Sequence, residues 1–86
     1  MYKVVVRPRV WKDLHPLPES VKQRLLDEMT ALSEEPRPRG CQKLVDSHNS
    51  WRVRVGDYRI LYVIDDNENQ VVVYRVRHRK DVYRHK

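Results

Sequence analysis

A single cysteine, Cys41, in 86 residues excludes an internal disulfide and offers no thiolate cluster for a metal, so the chain is not stapled for an oxidising compartment. No apolar run approaches the roughly 18 residues that a membrane-spanning helix needs. The first ten residues, MYKVVVRPRV, lack the apolar core of a secretion signal. The expectation is a cytoplasmic protein with no membrane partner, metal or cofactor. Internal repeats are absent as well. At this length there is room for one hydrophobic core and no second one, which makes residues 1–86 a single domain.

Charge is what the chain has in abundance. Eighteen Lys and Arg stand against twelve Asp and Glu, a formal net charge of +6. A compact body with that excess attracts polyanions over about a Debye length, and nucleic acid is the first candidate. The cations crowd into the second half: Arg52, Arg54, Arg59, Arg75, Arg77, Arg79, Lys80, Arg84 and Lys86. The acidic residues there fall mostly in turns, so the excess belongs to strands and forms a shaped surface.

Tyr2 to Arg7 is a short β-branched stretch stopped by Pro8, whose fixed φ suits the start of a helix. Val10, Trp11 and Leu14 follow at helical spacing, predicting a short helix that ends near His15-Pro16, with Trp11 in the core. Pro18 and Glu19 open a second helix carrying Val21, Leu25, Met29 and Leu32 on one stripe, ended before Pro36. Pro36 to Asn49 is loop-like with a brief extended piece at Gln42 to Val45. His15 and His48 lie without partners in helix-end and loop contexts, and Cys41 is a bystander.

From Ser50 the pattern has period two. Gly56-Asp57 is a tight-turn signal that pairs strands 51–55 and 58–64. Counting outward from the turn sets Arg54 opposite Arg59, Val53 opposite Ile60, Arg52 opposite Leu61 and Trp51 opposite Tyr62. A turn at Asp65 to Asn69 leads into a last strand, Gln70 to His78, with Val72, Tyr74 and Val76 on the apolar side and Arg75 and Arg77 beside the other arginines. Val71 and Val73 then fall on the arginine face, and a slip of one residue would invert the strand. The order is β-α-α-β-β-β: an α+β fold whose two helices cover the sheet face of Trp51, Val53, Ile60 and Tyr62, leaving a basic groove on the other.

Arg54 and Arg59 are like charges at a cross-strand site, which costs stability unless an anion lies between them. With Arg52 one pleat away, the face offers planar guanidinium forks to successive phosphates. Any sheet with one wet face must also place polar residues there, so each arginine alone is unremarkable. Where the last strand leaves the sheet, His78, Arg79, Lys80 and Tyr83 bring together groups suited to acid–base work, charge neutralisation and stacking.

The segment WRVRVGDYRILYVIDD followed by VVVYRVRHRKDVYR resembles the RelE/ParE toxin superfamily over nearly the whole chain, most specifically in the G-D-Y-R-x-L-Y hairpin and the H-R-K-D-V-Y tail. The resemblance implies a RelE-type messenger RNA interferase, the toxin of a type II toxin-antitoxin pair. Such a toxin enters the ribosomal A site and cleaves the message through attack of a 2′-hydroxyl on the adjacent phosphate. By resemblance, Arg59 and Arg79 hold and neutralise the scissile phosphate, and Arg52 and Arg54 grip its neighbours. Tyr83 stacks on a base or orients the nucleophile; Arg75, Arg77 and Lys80 extend the RNA contact.

Lysines commonly stand at the positions of Arg52 and Arg54, one of them acting as base, and arginine scarcely deprotonates. His78 is the expected substitute. A RelB-like antitoxin is the implied protein partner. Two other readings keep the same fold: a ParE-like inhibitor of DNA gyrase with no nuclease activity, and a catalytically inactive RNA-binding module.

Overall fold

The computed structural model describes residues 1–45 and 49–80. Its elements are β1 (Lys3–Val6), α1 (Pro8–Leu14), α2 (Glu19–Ala31), β2 (Gln42–Lys43), β3 (Ser50–Val55), β4 (Tyr58–Asp65) and β5 (Gln70–His78). The strands form one sheet in the order β1-β5-β4-β3-β2. The β1–β5 pair is parallel and the other three are antiparallel.

Pro8 occupies the first turn of α1, where its missing N–H has no intrahelical partner to lose. Val10 and Leu14, four residues apart, turn inward and are buried. Trp11 does not join them. It is 51% exposed, because in a helix of two turns the inward stripe belongs to the i, i+4 pair and the next residue lies about 100° round the axis. In α2 the expected stripe holds: Leu25 and Met29 are buried, Leu32 at its C-cap is buried, and Val21 packs at the margin.

The β3–β4 hairpin has the register counted from its turn, with Val55 opposite Tyr58, Arg54 opposite Arg59 and Trp51 opposite Tyr62. The positive φ that the turn needs falls on Gly56, at 61°. The brief extended piece is a real strand, β2, set on β3 with Gln42 opposite Arg52 and Lys43 opposite Trp51. Five strands therefore stand where four were expected.

The last strand departs from simple alternation. A β-bulge falls between Leu61 and Tyr62: Leu61 pairs with Arg75, whereas Tyr62 pairs with Val73, leaving Tyr74 as the extra residue. The inserted residue changes the parity of β5 along its length. Val71, Val73 and Val76 are all buried, while Val72 and Tyr74, expected in the core, are only half-buried. Val71 and Val73 accordingly leave the arginine face to which strict alternation assigned them, and Arg77 stays on it.

The core is one cluster in which Val10, Leu14, Leu25, Met29 and Leu32 meet Val53, Ile60, Tyr62, Ile64, Val71, Val73 and Val76. Beyond the end of β1, α1 lies along β5 and Asp13 closes the gap. Its Oδ2 accepts from the backbone N–H of Val76 at 3.0 Å and from Arg75 Nε at 2.9 Å, while Arg9 approaches Oδ1 at 3.5 Å. A strand N–H left without its ladder is thereby satisfied. Among the described residues no helix is long and apolar enough to cross a membrane.

Asp13→Ala strands two donors at once and should cost about 1–2 kcal/mol. In a domain of this size that lowers Tm by roughly 4–16 °C in a circular-dichroism melt. An unchanged melt would show that α1 is held by its apolar side alone.

Candidate nucleic-acid interface

The register of three strands places Arg54, Arg59 and Arg77 abreast on the sheet face away from the helices. Arg52 sits one row further on, beside Leu61. Like charges at adjoining cross-strand positions repel, and they are retained at a cost that an anionic ligand relieves. A cavity of about 350 Å³ opens here, lined by Gly40, Gln42, Arg52, Arg54 and Arg59. None of these lining residues is acidic.

Two of the guanidinium groups are held by neutral oxygens. Gln42 Oε1 accepts from Arg52 at both Nε (3.1 Å) and Nη2 (2.7 Å), and the Gly56 carbonyl accepts from Arg54 Nε at 3.1 Å. Fixing part of each fork orients the remaining donors before a ligand arrives.

The wall supplied by Gly40 and Gln42 depends on how residues 36–41 are anchored to the sheet. The Tyr62 hydroxyl, on a fully buried ring, donates to the Pro36 carbonyl at 2.8 Å. Burial pushes the Tyr62 phenol well above its ordinary value, so it remains a donor across the neutral range. Arg37 bonds both oxygens of Asp66, at 3.4 and 2.9 Å, and stacks over the Trp51 ring at 5.1 Å. The Tyr2 hydroxyl also donates to Asp66, at 2.6 Å. The hydrogen bond from Arg37, and after it that from Tyr2, hold the Asp66 carboxyl below its usual 3.8.

The predicted tail residues do not all come to this face. His78 pairs with Tyr58, alternating with Arg59 and Arg77, and so lies on the helix side of β4 and β5. Its ring meets Tyr58 edge-on at 5.1 Å. The Lys80 N–H donates to His78 Nδ1 at 3.1 Å, which in the neutral ring leaves the proton on Nε2. His78 lines a separate hollow of about 280 Å³ with Lys12, Asp13, Pro16, Leu17, Tyr58, Arg75 and Val76. The twofold spacing of the strand separates it from the arginine row.

Arg75, expected to contact RNA, is turned over the edge of β5 to Asp13 and serves the fold. Arg79 is exposed just past β5, its N–H bonded to the Asp57 carbonyl of the hairpin turn at 2.8 Å, and Lys80 follows it into solvent. Tyr83 and His48 lie outside the described residues. Gln42 and Gly40 were not singled out from the sequence. The one signal for them was the short extended piece after the proline-rich loop, and nothing local tells which strand it joins. Among the described residues no three His, Cys, Asp or Glu side chains gather where they could hold a metal ion.

Residues 4–83 match the family model described as the ParE toxin of type II toxin-antitoxin system, parDE. The chain belongs to the RelE/ParE family of type II toxins. This RelE-family toxin is 38% identical over 74 residues, 85% of either chain, to Toxin RelG of Mycobacterium tuberculosis. It superimposes with a TM-score of 0.81 on a chain of the archaeal RelE-RelB complex from Pyrococcus horikoshii, at 29% identity over 91% of this chain and 94% of that one. Against the toxin-antitoxin complex RelBE2 of Mycobacterium tuberculosis the TM-score is 0.79, at 34% identity over 90% and 96% of the two chains. The α+β layering is that of the RelE toxins.

The Asp66 latch makes an acid-side prediction. A carboxyl whose pKa is depressed by folding contributes stability that is complete above its unfolded value, near 3.8, and is lost as pH falls through the lower folded value. Between about pH 7 and about pH 2, Asp66→Asn should therefore lose less of its Tm than the parent chain. Parallel curves would remove the latch from the acid response.

Proposed function

We propose that this toxin is a ribosome-dependent endoribonuclease that cuts messenger RNA in the cytoplasm. The observation that carries the reading is the arginine row Arg54–Arg59–Arg77 beside a cavity lined by three arginines and no acidic residue. Such a face is suited to a phosphodiester backbone, whose charges it meets with planar two-toothed donors. The relatives named RelG and RelE and the RelE chains of the solved complexes support the same branch.

In the proposed reaction the 2′-oxygen attacks the adjacent phosphorus and the bond to the 5′-oxygen breaks. The products are a cyclic phosphate and a free 5′-hydroxyl. One proton leaves the 2′-hydroxyl and one reaches the departing oxygen. Arg59, with Arg54 and Arg77 on either side, stabilises the charge that builds on the phosphorane oxygens. Arg52 grips a neighbouring phosphate, and Arg79 approaches from the end of β5. Tyr83 is assigned the stacking or orienting role that the family resemblance gives it.

Arginine does not serve as a base, and His78 lies on the other face of the strands that hold the row. Catalysis by charge stabilisation and substrate alignment is the reading this geometry favours, with His78 outside the reacting centre. The neutralising partner proposed is a RelB-like antitoxin, as in the complexes of the two structural relatives.

The description of the matching family model favours one rival, a ParE-like toxin that binds gyrase and cuts nothing. Inducible expression followed by primer extension on a translated transcript separates the two. Cuts within codons that need translation, reduced about 10²-fold or more by Arg59→Ala or Arg79→Ala and little by His78→Ala, are the expected outcome. Growth arrest with intact messages would transfer the toxin to the gyrase branch. Loss of cleavage in His78→Ala alone would return the proton transfer to histidine.

A further inference from the structure

The arginines whose contacts are seen fall into two sets by the charge of the oxygen that holds them. Arg37 is tied to the Asp66 carboxylate, and Arg9 and Arg75 are tied to that of Asp13. All three lie away from the cavity lining. Arg52 and Arg54, which line it, are tied to an amide oxygen and a peptide carbonyl. A carboxylate at 2.7 Å would orient a guanidinium equally well but would cancel its charge toward anything beyond. An amide oxygen gives the same directional bond with no net charge.

We infer that Gln42 is a positioning residue of the RNA-binding cavity, holding the Arg52 guanidinium in a fixed plane while leaving its full positive charge to the ligand. The inference rests on the RNA reading proposed above and adds to it a residue outside the arginine set. Gln42 and Arg52 are direct cross-strand partners, so the bond spans the shortest path between β2 and β3. With Oε1 taking both bonds from Arg52, the amide nitrogen of Gln42 has no acceptor among the described residues. Its two amide N–H groups are donors, in keeping with an anionic occupant.

Glutamate at this position is the discriminating change, since it preserves size and the two-toothed bond while adding the missing negative charge. The full-length chain and its variants are titrated against a fluorescein-labelled single-stranded RNA over a series of salt concentrations, with Tm measured for each. The expected result is that Gln42→Glu keeps or raises Tm, weakens binding about tenfold, and makes the dependence of log K on log salt shallower by about one phosphate contact. Gln42→Ala should keep the parent slope and lose affinity several-fold, through loss of orientation alone.

If Gln42→Glu binds with parental affinity and slope while Arg52→Ala binds more weakly, Gln42 is merely structural and the inference is overturned, with the RNA reading intact. If the parent chain shows no salt-dependent RNA binding, the RNA reading itself falls and takes the inference with it. Should Gln42→Glu not fold, Gln42→Ala decides: weaker binding at an unchanged slope supports positioning, and unchanged binding overturns it.

Discussion

The pairing of β4 with β5 around the Leu61/Tyr62 bulge decides what each face of the sheet contains. On one side of the bulge Val76 follows Ile60 into the core; on the other Val71 and Val73 join Ile64 and Tyr62 there. Without the inserted Tyr74, one group of apolar side chains would stand in solvent and the other inside. A shift of one residue in a strand moves every side chain to the opposite face. The bulge lets a single strand supply a continuous apolar lining and still align Arg77 with Arg59 and Arg54.

Tyr62 beside that bulge links the core to the cavity. Its ring fills the centre of the sheet, and its hydroxyl reaches Pro36 at the root of the segment carrying Gly40 and Gln42. Arg37, from the same segment, completes the anchorage on Asp66 and Trp51. Carboxylates thus hold Arg9, Arg37 and Arg75, which serve the fold, and neutral oxygens hold Arg52 and Arg54, which line the cavity. In a chain of net charge +6 that division leaves the charges of Arg52 and Arg54 uncancelled by the oxygens that hold them.

Much of this was legible because the signals are local. The turn at Gly56-Asp57 fixes the hairpin, and alternation from it puts Arg54 opposite Arg59 with no tertiary information. The stripe Leu25, Met29, Leu32 and the proline at the start of α1 are equally local. Trp11 was misplaced because apolar character was read without the geometry of a two-turn helix. Arg75 and His78 were grouped with Arg77 because the sequence places them side by side. A strand separates His78 by its pleat, and Asp13, 62 residues earlier, draws Arg75 away.

The sequence by itself determined the element order, the hairpin register, the basic character of one sheet face and the family resemblance, since each follows from spacing within a few residues. The tertiary structure alone decided that β5 carries a bulge, that Gln42 meets Arg52, and that Arg9, Arg37 and Arg75 meet carboxylates while Arg52 and Arg54 meet neutral oxygens. These depend on partners brought together across many positions of chain. Hydrogen bonding between such partners is chosen by the packing of the whole core, and no local pattern records it.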